Sequence, residues 1–401
     1  MLRRHLLKLS MAVAVAGSFV AGTAFAADPI KVGAVAPKTG PLAGGAAVTH
    51  WPNIQLWVKE VNDRGGLNVG GEQRMLELIE YDDQTNPQET IKAVQRLATQ
   101  DNAEIILAPY STGLNLAAAP IFHRLGYPQI TSTTTTDNAA DLSSKFDTLF
   151  FTLGTNSGIT GDAAKVFSDL REQGVIGNKV AMVNVADAFG IELMASAKPA
   201  FEAAGFEIVY ETSYPLGTQD LSPIMKAAKA ANPDAFVAWS YPPDTLGLTE
   251  QAMIEDLQVG AFYTAVATAF PLYIGKFGDA AEGVLGIGGV NTESESFKDY
   301  AARHKEVTGQ DPDYWASGMM YATLQILEQS IESTGTLDRP ALIEHIKETT
   351  FDTVMGPMKF DENNSNPSFW TVGQWQGGKF KGVASTGREG VVPVVKKEGW
   401  K

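Results

Sequence analysis

The chain has 401 residues, with 31 Lys and Arg against 46 Asp and Glu, a net charge of −15, and no cysteine. This acidic balance argues against nucleic acid and anionic membrane surfaces as partners, and the lack of cysteine excludes disulfides and a thiolate nucleophile. The length is sufficient for two domains with good hydrophobic cores.

The first 26 residues have the pattern of a cleaved signal peptide. A basic head with Arg3, Arg4 and Lys8 precedes a largely apolar run, and Ala24-Phe25-Ala26 has the small-x-small form that signal peptidase needs. We expect export to the periplasm with cleavage after Ala26, by either the Sec or the twin-arginine route. No later stretch is long and apolar enough to span a bilayer, so we expect no stable membrane insertion.

Strand and helix patterns then alternate along the chain, which predicts mostly parallel sheets with right-handed crossovers. The first series comprises predicted strands at 30–36, 75–81, 104–107 and 128–130, with helices at 48–61 and 87–97. The second series comprises strands at 179–185, 206–212, 234–239 and 261–266, with helices at 157–170, 191–203, 220–230 and 245–257. The last part comprises a glycine-rich strand at 284–289, helices at 297–307, 314–331 and 340–347, and strands within 358–383.

We therefore predict an α/β protein with two lobes and no flexible linker between them. The N-terminal lobe would contain residues 27–151 plus 286–355, and the C-terminal lobe residues 152–285 plus 356–401. This division implies three crossovers between the lobes rather than one tether.

Two hydroxyl-rich turns follow neighbouring strands of the first series. Ser111 and Thr112 come after the strand at 104–107, and the run 131–136 comes after the strand at 128–130. In an open α/β sheet, small ligands bind outside the carboxyl ends of the strands, where helix N-termini offer free N–H groups. The turns predict a site for an anionic group, although such hydroxyls also cap helices and fill turns.

Aromatic residues follow two strands of the second series. Phe189 comes after the strand at 179–185, and Trp239 with Tyr241 comes at the end of the strand at 234–239. They could form an apolar wall opposite the hydroxyl turns, or they could serve ordinary packing.

Motifs for catalysis, cofactors and metals are incomplete. The near phosphate loop at 373–379 is followed by Phe380 where Ser or Thr is needed, and the glycine run at 286–290 lacks the third glycine of a dinucleotide site. No G-x-S-x-G elbow occurs. We expect no catalytic residue, no cofactor and no metal, because no metal-site spacing joins His50, His123, His304 and His345.

The order of segments from the leader onward resembles the periplasmic leucine/isoleucine/valine-binding protein family, whose members are solute-binding partners of ABC importers with a type I two-lobe fold. The resemblance rests on Ile30-Lys31-Val32-Gly33 with Thr39-Gly40-Pro41, Val61-Asn62-Asp63-Arg64-Gly65-Gly66, Tyr81-Asp82-Asp83-Gln84, Gly126-Tyr127-Pro128, Gly278-Asp279-Ala280-Ala281-Glu282-Gly283, and Gly356-Pro357-Met358 with Phe360-Asp361.

This resemblance implies a ligand-binding role for residues in both lobes. The family's carboxylate-binding hydroxyls fall on Thr112, with Ser111 beside it, and on Thr135, with Thr133 and Thr134 beside it. In the second lobe, Phe189 resembles a family tyrosine in place, and Tyr241 lies in a matching segment.

The chain departs from the family pattern where amino-acid binders place an acid against the ligand's ammonium group. The segment 265–270, which includes Thr268, contains no carboxylate, and 44–46 has small residues where relatives carry an aromatic. A buried ammonium without a counter-charge costs several kcal/mol. Either another acid reaches in, or the ligand is a carboxylate with an apolar or aromatic body and extra room in the pocket.

The resemblance implies a monomeric protein that is not an enzyme, closes about a hinge over a small carboxylate or amino acid, and delivers it to an ABC transporter permease. A ligand sensor for a receptor and, with less support, a cleft hydrolase or amidase are the alternatives that remain.

Overall fold

The structure, a computed structural model, describes residues 28–400, and the predicted signal peptide lies outside them. These residues contain fourteen strands: β1 (Ile30–Ala36), β2 (Leu67–Val69), β3 (Glu72–Arg74), β4 (Leu76–Asp82), β5 (Ile105–Ile106), β6 (Gln129–Thr131), β7 (Leu149–Phe151), β8 (Lys179–Val185), β9 (Glu207–Tyr214), β10 (Ala235–Trp239), β11 (Ala261–Thr264), β12 (Leu285–Ile287), β13 (Phe369–Gln376) and β14 (Lys379–Thr386).

The described part also contains thirteen α-helices: α1 (Ala43–Thr49), α2 (Trp51–Asp63), α3 (Pro87–Thr99), α4 (Thr112–Leu125), α5 (Ala139–Lys145), α6 (Asn156–Glu172), α7 (Ala188–Ala203), α8 (Ser222–Ala230), α9 (Pro242–Ile254), α10 (Pro271–Phe277), α11 (Glu295–Thr308), α12 (Ala316–Thr334) and α13 (Arg339–Glu348). No helix within residues 28–400 combines the length and the apolar character that a membrane crossing requires.

The first lobe is built on two small parallel sheets, β4-β1-β5 and β6-β7. Strand β1 is almost entirely buried because its run IKVGAVA is apolar on both faces, as expected for a parallel strand covered by helices. The late helices return to this lobe. Trp57 Nε1 on α2 donates to Glu328 on α12 at 2.7 Å, and the Tyr300 hydroxyl on α11 donates to Asn53 on α2 at 2.6 Å.

The second lobe is built on one seven-stranded sheet in the order β14-β13-β12-β11-β10-β8-β9. Strands β9, β8, β10, β11 and β12 are parallel, whereas β13 and β14 form an antiparallel hairpin at the edge. Helices α6 and α7 pack on this sheet, and the rings of Phe167 on α6 and Phe201 on α7 meet edge to face at 5.2 Å. The predicted two-lobe α/β fold with mostly parallel sheets is confirmed.

The chain crosses between the lobes three times: after β7, after β12 and before β13. The last crossing follows a short pairing with β7, in which the Phe151 N–H donates to the Asn364 carbonyl and the Asn366 N–H donates to the Phe151 carbonyl, both at 2.8 Å. The chain therefore leaves the sheet of the second lobe after Ile287 and returns to it after Asn366. The assignment of 27–151 plus 286–355 and of 152–285 plus 356–401 to two units that move separately remains a prediction.

Strand β8, which is paired on both sides in the second-lobe sheet, gives a direct test of its packing. Met182 on β8 is fully buried, whereas Met75 before β4 is 44% exposed. Met182→Ala should lower the free energy of unfolding by about 2–5 kcal/mol, because a buried cavity remains, and Met75→Ala should change it by less than about 0.5 kcal/mol. Urea midpoints compared at equal slopes measure both changes, and equal losses in the two variants would contradict the assignment of Met182 to the core.

Candidate ligand-binding site

An enclosed cavity of about 20 Å³ lies between the two lobes, with room for about one water molecule. It is lined by Tyr110, Ser111, Thr133, Thr135, Leu153, Phe189, Tyr241, Val266, Trp315 and Ala316. The hydroxyl turns of the first lobe and the aromatic residues of the second lobe therefore face the same space.

The two hydroxyl turns are joined by a direct hydrogen bond. The Ser111 backbone N–H donates to Thr133 Oγ1 at 2.9 Å. Ser111 is the N-cap of α4, and its hydroxyl accepts from the Leu114 N–H at 3.4 Å. Its φ of 74° is a backbone conformation that non-glycine residues seldom adopt and that is concentrated at functional sites. These hydrogen bonds fix the position of the first turn, at Ser111, relative to the second turn, at Thr133.

Within the threonine run, the hydroxyls divide into two groups. Thr131 Oγ1 donates to the Phe150 carbonyl at 2.9 Å, and Thr136 Oγ1 accepts from the Asn138 N–H at 3.0 Å, so both serve the fold. Three other hydroxyls are buried and have no hydrogen-bond partner: Thr134 Oγ1, Thr135 Oγ1 and, on α4, Thr112 Oγ1. Because buried polar groups in folded proteins are nearly always paired, these hydroxyls mark a place where a ligand could supply the partner.

The second lobe contributes a stacked aromatic pair. The rings of Phe189 and Tyr241 lie 4.8 Å apart at an interplanar angle of 28°. The Tyr241 N–H donates to Asp244 Oδ2 at 3.0 Å, and the Tyr214 hydroxyl donates to the same oxygen. This network holds the Tyr241 backbone in place. The Tyr241 hydroxyl lies beside Asp187 and Ser111 but forms no hydrogen bond with them in this geometry. Burial and the nearby Asp187 carboxylate raise the pKa of Tyr241 well above its usual value, so the hydroxyl keeps its proton.

The small residues at 44–46 border two different spaces. A Cβ atom at Gly45 would overlap the Tyr110 hydroxyl, so Tyr110 occupies the space there. Gly44 instead lines a separate cavity of about 120 Å³, together with Pro242, Ala267 and Phe270. The expectation that this room serves the ligand pocket stays a prediction.

Four helices begin at the cavity. Ser111, Tyr241 and Trp315 are the N-caps of α4, α9 and α12, and Phe189 is the second residue of α7. Each helix N-terminus carries the equivalent of roughly half a positive charge and stabilises a nearby anion by about 0.3–1 kcal/mol, or up to about 2 kcal/mol when partly buried. No Lys, Arg, His, Asp or Glu is among the lining residues. Acids outside the lining cap three of the four helices, Asp187 on α7, Asp244 on α9 and Asp313 on α12. The start of α4 has no acid and is the N-terminus that favours an anionic group.

Two acids lie close to the lining residues, and both cap a helix N-terminus. Asp187, the N-cap of α7, accepts from the Gly190 N–H at 3.0 Å, and burial raises the pKa of its carboxyl. Asp313 is fully buried and accepts from the backbone N–H groups of Trp315 at 2.8 Å and Ser317 at 2.9 Å, and from the Ser317 hydroxyl. Its pKa is raised to about 6 by burial.

The structure brings five of the eight predicted site residues to the cavity, namely Ser111, Thr133, Thr135, Phe189 and Tyr241. Thr112 and Thr134 are buried beside the same turns but are not lining residues. Thr268 lies elsewhere: its hydroxyl bonds to Thr264 Oγ1 at 2.7 Å, its carbonyl accepts from Trp375 Nε1 at 2.7 Å, and its side chain packs against Gly286. Thr268 thus belongs to the interior of the second lobe, a position that does not support a direct ligand contact.

Sequence reasoning missed Tyr110, Leu153, Val266, Trp315 and Ala316. Tyr110 and Val266 lie within segments that the sequence singled out, and Leu153 lies in a predicted crossover. Trp315 and Ala316 lie at the start of a predicted helix, but no local signal shows that this start faces the cavity.

The arrangement offers hydrogen bonds and apolar contacts rather than catalysis. No side chain with a usable general base lines the cavity, whereas activation of a Ser or Thr nucleophile requires an adjacent base. Among residues 28–400, no group of three or more His, Cys, Asp and Glu could hold a metal ion.

Two α/β lobes joined by three crossings, with a cavity between them, define the class of type I periplasmic binding proteins. The model of the periplasmic binding protein family matches residues 29–379, and the chain belongs to this family. The resemblance to its leucine/isoleucine/valine-binding members is confirmed.

Similar proteins cover nearly the whole chain. A leucine-, isoleucine-, valine-, threonine- and alanine-binding protein of Pseudomonas aeruginosa is 24% identical over 374 residues, which are 93% of this chain and 96% of the relative. Two solved structures share the fold with a TM-score of 0.76. A leucine binding protein from Thermotoga maritima is 21% identical and covers 89% of this chain and 98% of its own. A solute binding protein of an ABC transporter from Rhodopseudomonas palustris, in complex with 3,4-dihydroxybenzoic acid, is 23% identical with coverage of 91% and 98%.

The Asp313 carboxyl beside Trp315 should make stability depend on pH. Because burial raises the pKa of this carboxyl in the folded state to about 6, above that of an exposed aspartate, the folded state binds a proton more tightly than the unfolded state. The stability contribution therefore grows as pH falls from about 6 to about 4. The stability of the wild type relative to Asp313→Asn should therefore increase by on the order of 2 kcal/mol between pH 7 and pH 4. Urea unfolding of both proteins at the two pH values tests this, and a pH-independent difference would contradict it.

Proposed function

We propose that the protein is an extracytoplasmic solute-binding protein that captures a small carboxylate-bearing ligand, a branched-chain amino acid or a related aliphatic or aromatic acid, and delivers it to an ABC transporter permease. The observation that carries this proposal is the cavity at which four helix N-termini and the unpartnered Thr135 hydroxyl meet. A carboxylate accepts from such donors in charge-assisted hydrogen bonds, which are stronger than neutral ones.

Family membership and the names of the relatives support the binding role, but the relatives differ in the ligand that they bind. The Pseudomonas relative is named for binding small amino acids, whereas the Rhodopseudomonas structure contains an aromatic acid. Both kinds of ligand carry a carboxylate and an apolar part. The donors at Ser111, Thr133 and Thr135 would take the carboxylate, and Phe189, Tyr241 and Val266 would contact the apolar part.

Capture would proceed by closure of the two lobes about the crossings. Because an enclosed cavity of about 20 Å³ admits no molecule of this size, the walls must separate before a ligand enters. The ligand would bind first to the hydroxyl turns of the first lobe and then contact the aromatic pair of the second. Only contacts made better in the closed state shift the equilibrium toward it.

Periplasmic location and the absence of catalysis belong to the same proposal. The predicted signal peptide and the periplasmic relatives support export. The relatives are solute-binding proteins, and a cavity without a general base supports binding without turnover.

A set of ligands tests the role of the negative charge. Protein freed of carried-over ligand by unfolding and refolding should be stabilised by about 2.7 kcal/mol by a binding acid at 100 times its Kd. Thermal shifts are measured with leucine, benzoate, 4-methylpentanoate and the neutral 4-methylpentanamide. At least one carboxylate should give a clear shift and the amide none. Equal shifts for acid and amide, or no shift with any carboxylate, would contradict the proposal.

A matched pair of threonine variants tests the second hydroxyl turn. Thr135→Val keeps the shape of the side chain but removes the hydroxyl, and it should weaken binding of the acid at least about tenfold, since a hydrogen bond to a charged group contributes about 1.5–3 kcal/mol. Thr148 is the control because its hydroxyl is also buried and unpartnered but lies away from the cavity. Isothermal titration should show unchanged affinity in Thr148→Val, and unchanged affinity in Thr135→Val would remove Thr135 from the site.

A further inference from the structure

We propose that the ligand is an acid that lacks an ammonium group and carries a second oxygen, and that the indole N–H of Trp315 donates a hydrogen bond to this oxygen. The inference rests on the proposed function, because it names the ligand class for the same cavity. It makes Trp315 a specificity-determining residue.

Trp315 lines the cavity and carries a donor without a partner. The residue is 4% exposed and lines the cavity, and its Nε1 atom forms no hydrogen bond within the protein. The indole N–H is a donor only, so its partner must be an acceptor. A buried donor left unpaired costs the free energy of its desolvation, and a ligand oxygen would remove this cost.

Two contacts fix the position of the Trp315 ring. Its backbone N–H donates to Asp313 Oδ1 at 2.8 Å, and the ring packs against Gly288 so closely that a Cβ atom at Gly288 would overlap it. Gly288 has a φ of 93°, in the region that favours glycine. The indole is therefore fixed by the crossing after β12, and little reorganisation is needed when a ligand binds.

This donor is additional to those of the hydroxyl turns. Ser111, Thr133 and Thr135 lie on the two turns that would receive the carboxylate, whereas Trp315 precedes a separate helix, α12. The Tyr241 hydroxyl, also unpartnered, adds a group that can donate or accept. A simple alkyl or aryl acid would leave the Trp315 N–H unpaired, so a second oxygen gives the better match.

An ammonium group, in contrast, meets no carboxylate among the lining residues. The Trp315 indole has a donor and no acceptor to offer it. Asp313 already accepts three hydrogen bonds. Asp187 lies beside the Tyr241 hydroxyl, accepts from the Gly190 N–H and is not among the lining residues. An α-amino acid would therefore bury its ammonium without a counter-charge in the lining.

Matched ligands separate the two features of the proposal. Dissociation constants are measured by isothermal titration for 4-methylpentanoate, 4-methyl-2-oxopentanoate and leucine, which share one carbon skeleton, and for benzoate and 4-hydroxybenzoate. The two pairs place the second oxygen beside the carboxylate or across a ring from it. In at least one pair the oxygen-bearing acid should bind about tenfold more tightly, as one additional satisfied donor allows, and leucine should bind more weakly than its oxo analogue.

Two tryptophan variants test whether the preference for a second oxygen depends on Trp315. Trp315→Phe should reduce the difference within the discriminating pair to less than about threefold, because the donor is gone. Trp239 is the matched control: its Nε1 atom is also buried without a partner, yet it does not line the cavity. Trp239→Phe should keep the full preference. Far-UV circular dichroism verifies that both variants fold, and the ligand pairs test the wild type without any substitution.

The outcomes are distinct. If no acid binds, the proposed function fails and the inference fails with it. If acids bind but neither pair discriminates, or if the preference survives in Trp315→Phe, only the inference is overturned. Leucine binding more tightly than its oxo analogue would likewise overturn it, and loss of that binding in Asp187→Asn would identify Asp187 as the acid that receives the ammonium.

Discussion

The convergence of four helix N-termini on one buried space with no ionised side chain is the constraint on which the site depends. Acids cap three of these ends, Asp187 on α7, Asp244 on α9 and Asp313 on α12, whereas α4 begins without an acid. A ligand anion would therefore be bound mainly at the start of α4 and by the unpartnered hydroxyls, and the low dielectric constant strengthens each interaction with it. Hydroxyl and indole donors suit this arrangement because they bind an anion without bringing an opposite charge that would need its own desolvation.

Three residues at the cavity are positioned by a hydrogen bond to a second residue. Ser111 is joined to Thr133, Tyr241 is held by Asp244, and Trp315 is held by Asp313. These contacts lie within one lobe in every case, so the two halves of the site can be ordered before they meet. Binding free energy is then available to stabilise closure rather than to order loops.

The amino-acid sequence was sufficient to predict the parts of the fold that follow local patterns. The two αβ series and the late helices appear close to their predicted positions, since each has a strong period and clear termini. Short elements such as α5, α10 and the β2–β3 hairpin were not predicted, because three to seven residues carry too little periodicity. The hydroxyl turns and the Phe189–Tyr241 wall were predicted because strand ends in an α/β sheet share one edge.

The rest of the site depends on contacts between segments that are distant in sequence. Trp315 reaches the cavity only because α12 packs on the first lobe, almost two hundred residues after the hydroxyl turns. Tyr110 fills the space beside Gly45 only because the first turn folds back over α1. Thr268 illustrates the converse: its segment passes near the site, since Val266 lines the cavity, but its side chain turns inward to Thr264.

The division of the site between the lobes also determines how affinity and closure are related. Contacts with Ser111, Thr133 and Thr135 are available in an open state, so they contribute to capture without favouring closure. Contacts with Phe189, Tyr241 and Val266 form only when the second lobe arrives, and their free energy alone shifts the equilibrium. Trp315 lies on the first lobe but packs on Gly288 in a crossing segment. A ligand group that contacts the indole therefore contacts a residue that packs on the segment about which the lobes move. Trp315 thus connects recognition of the ligand with closure of the lobes.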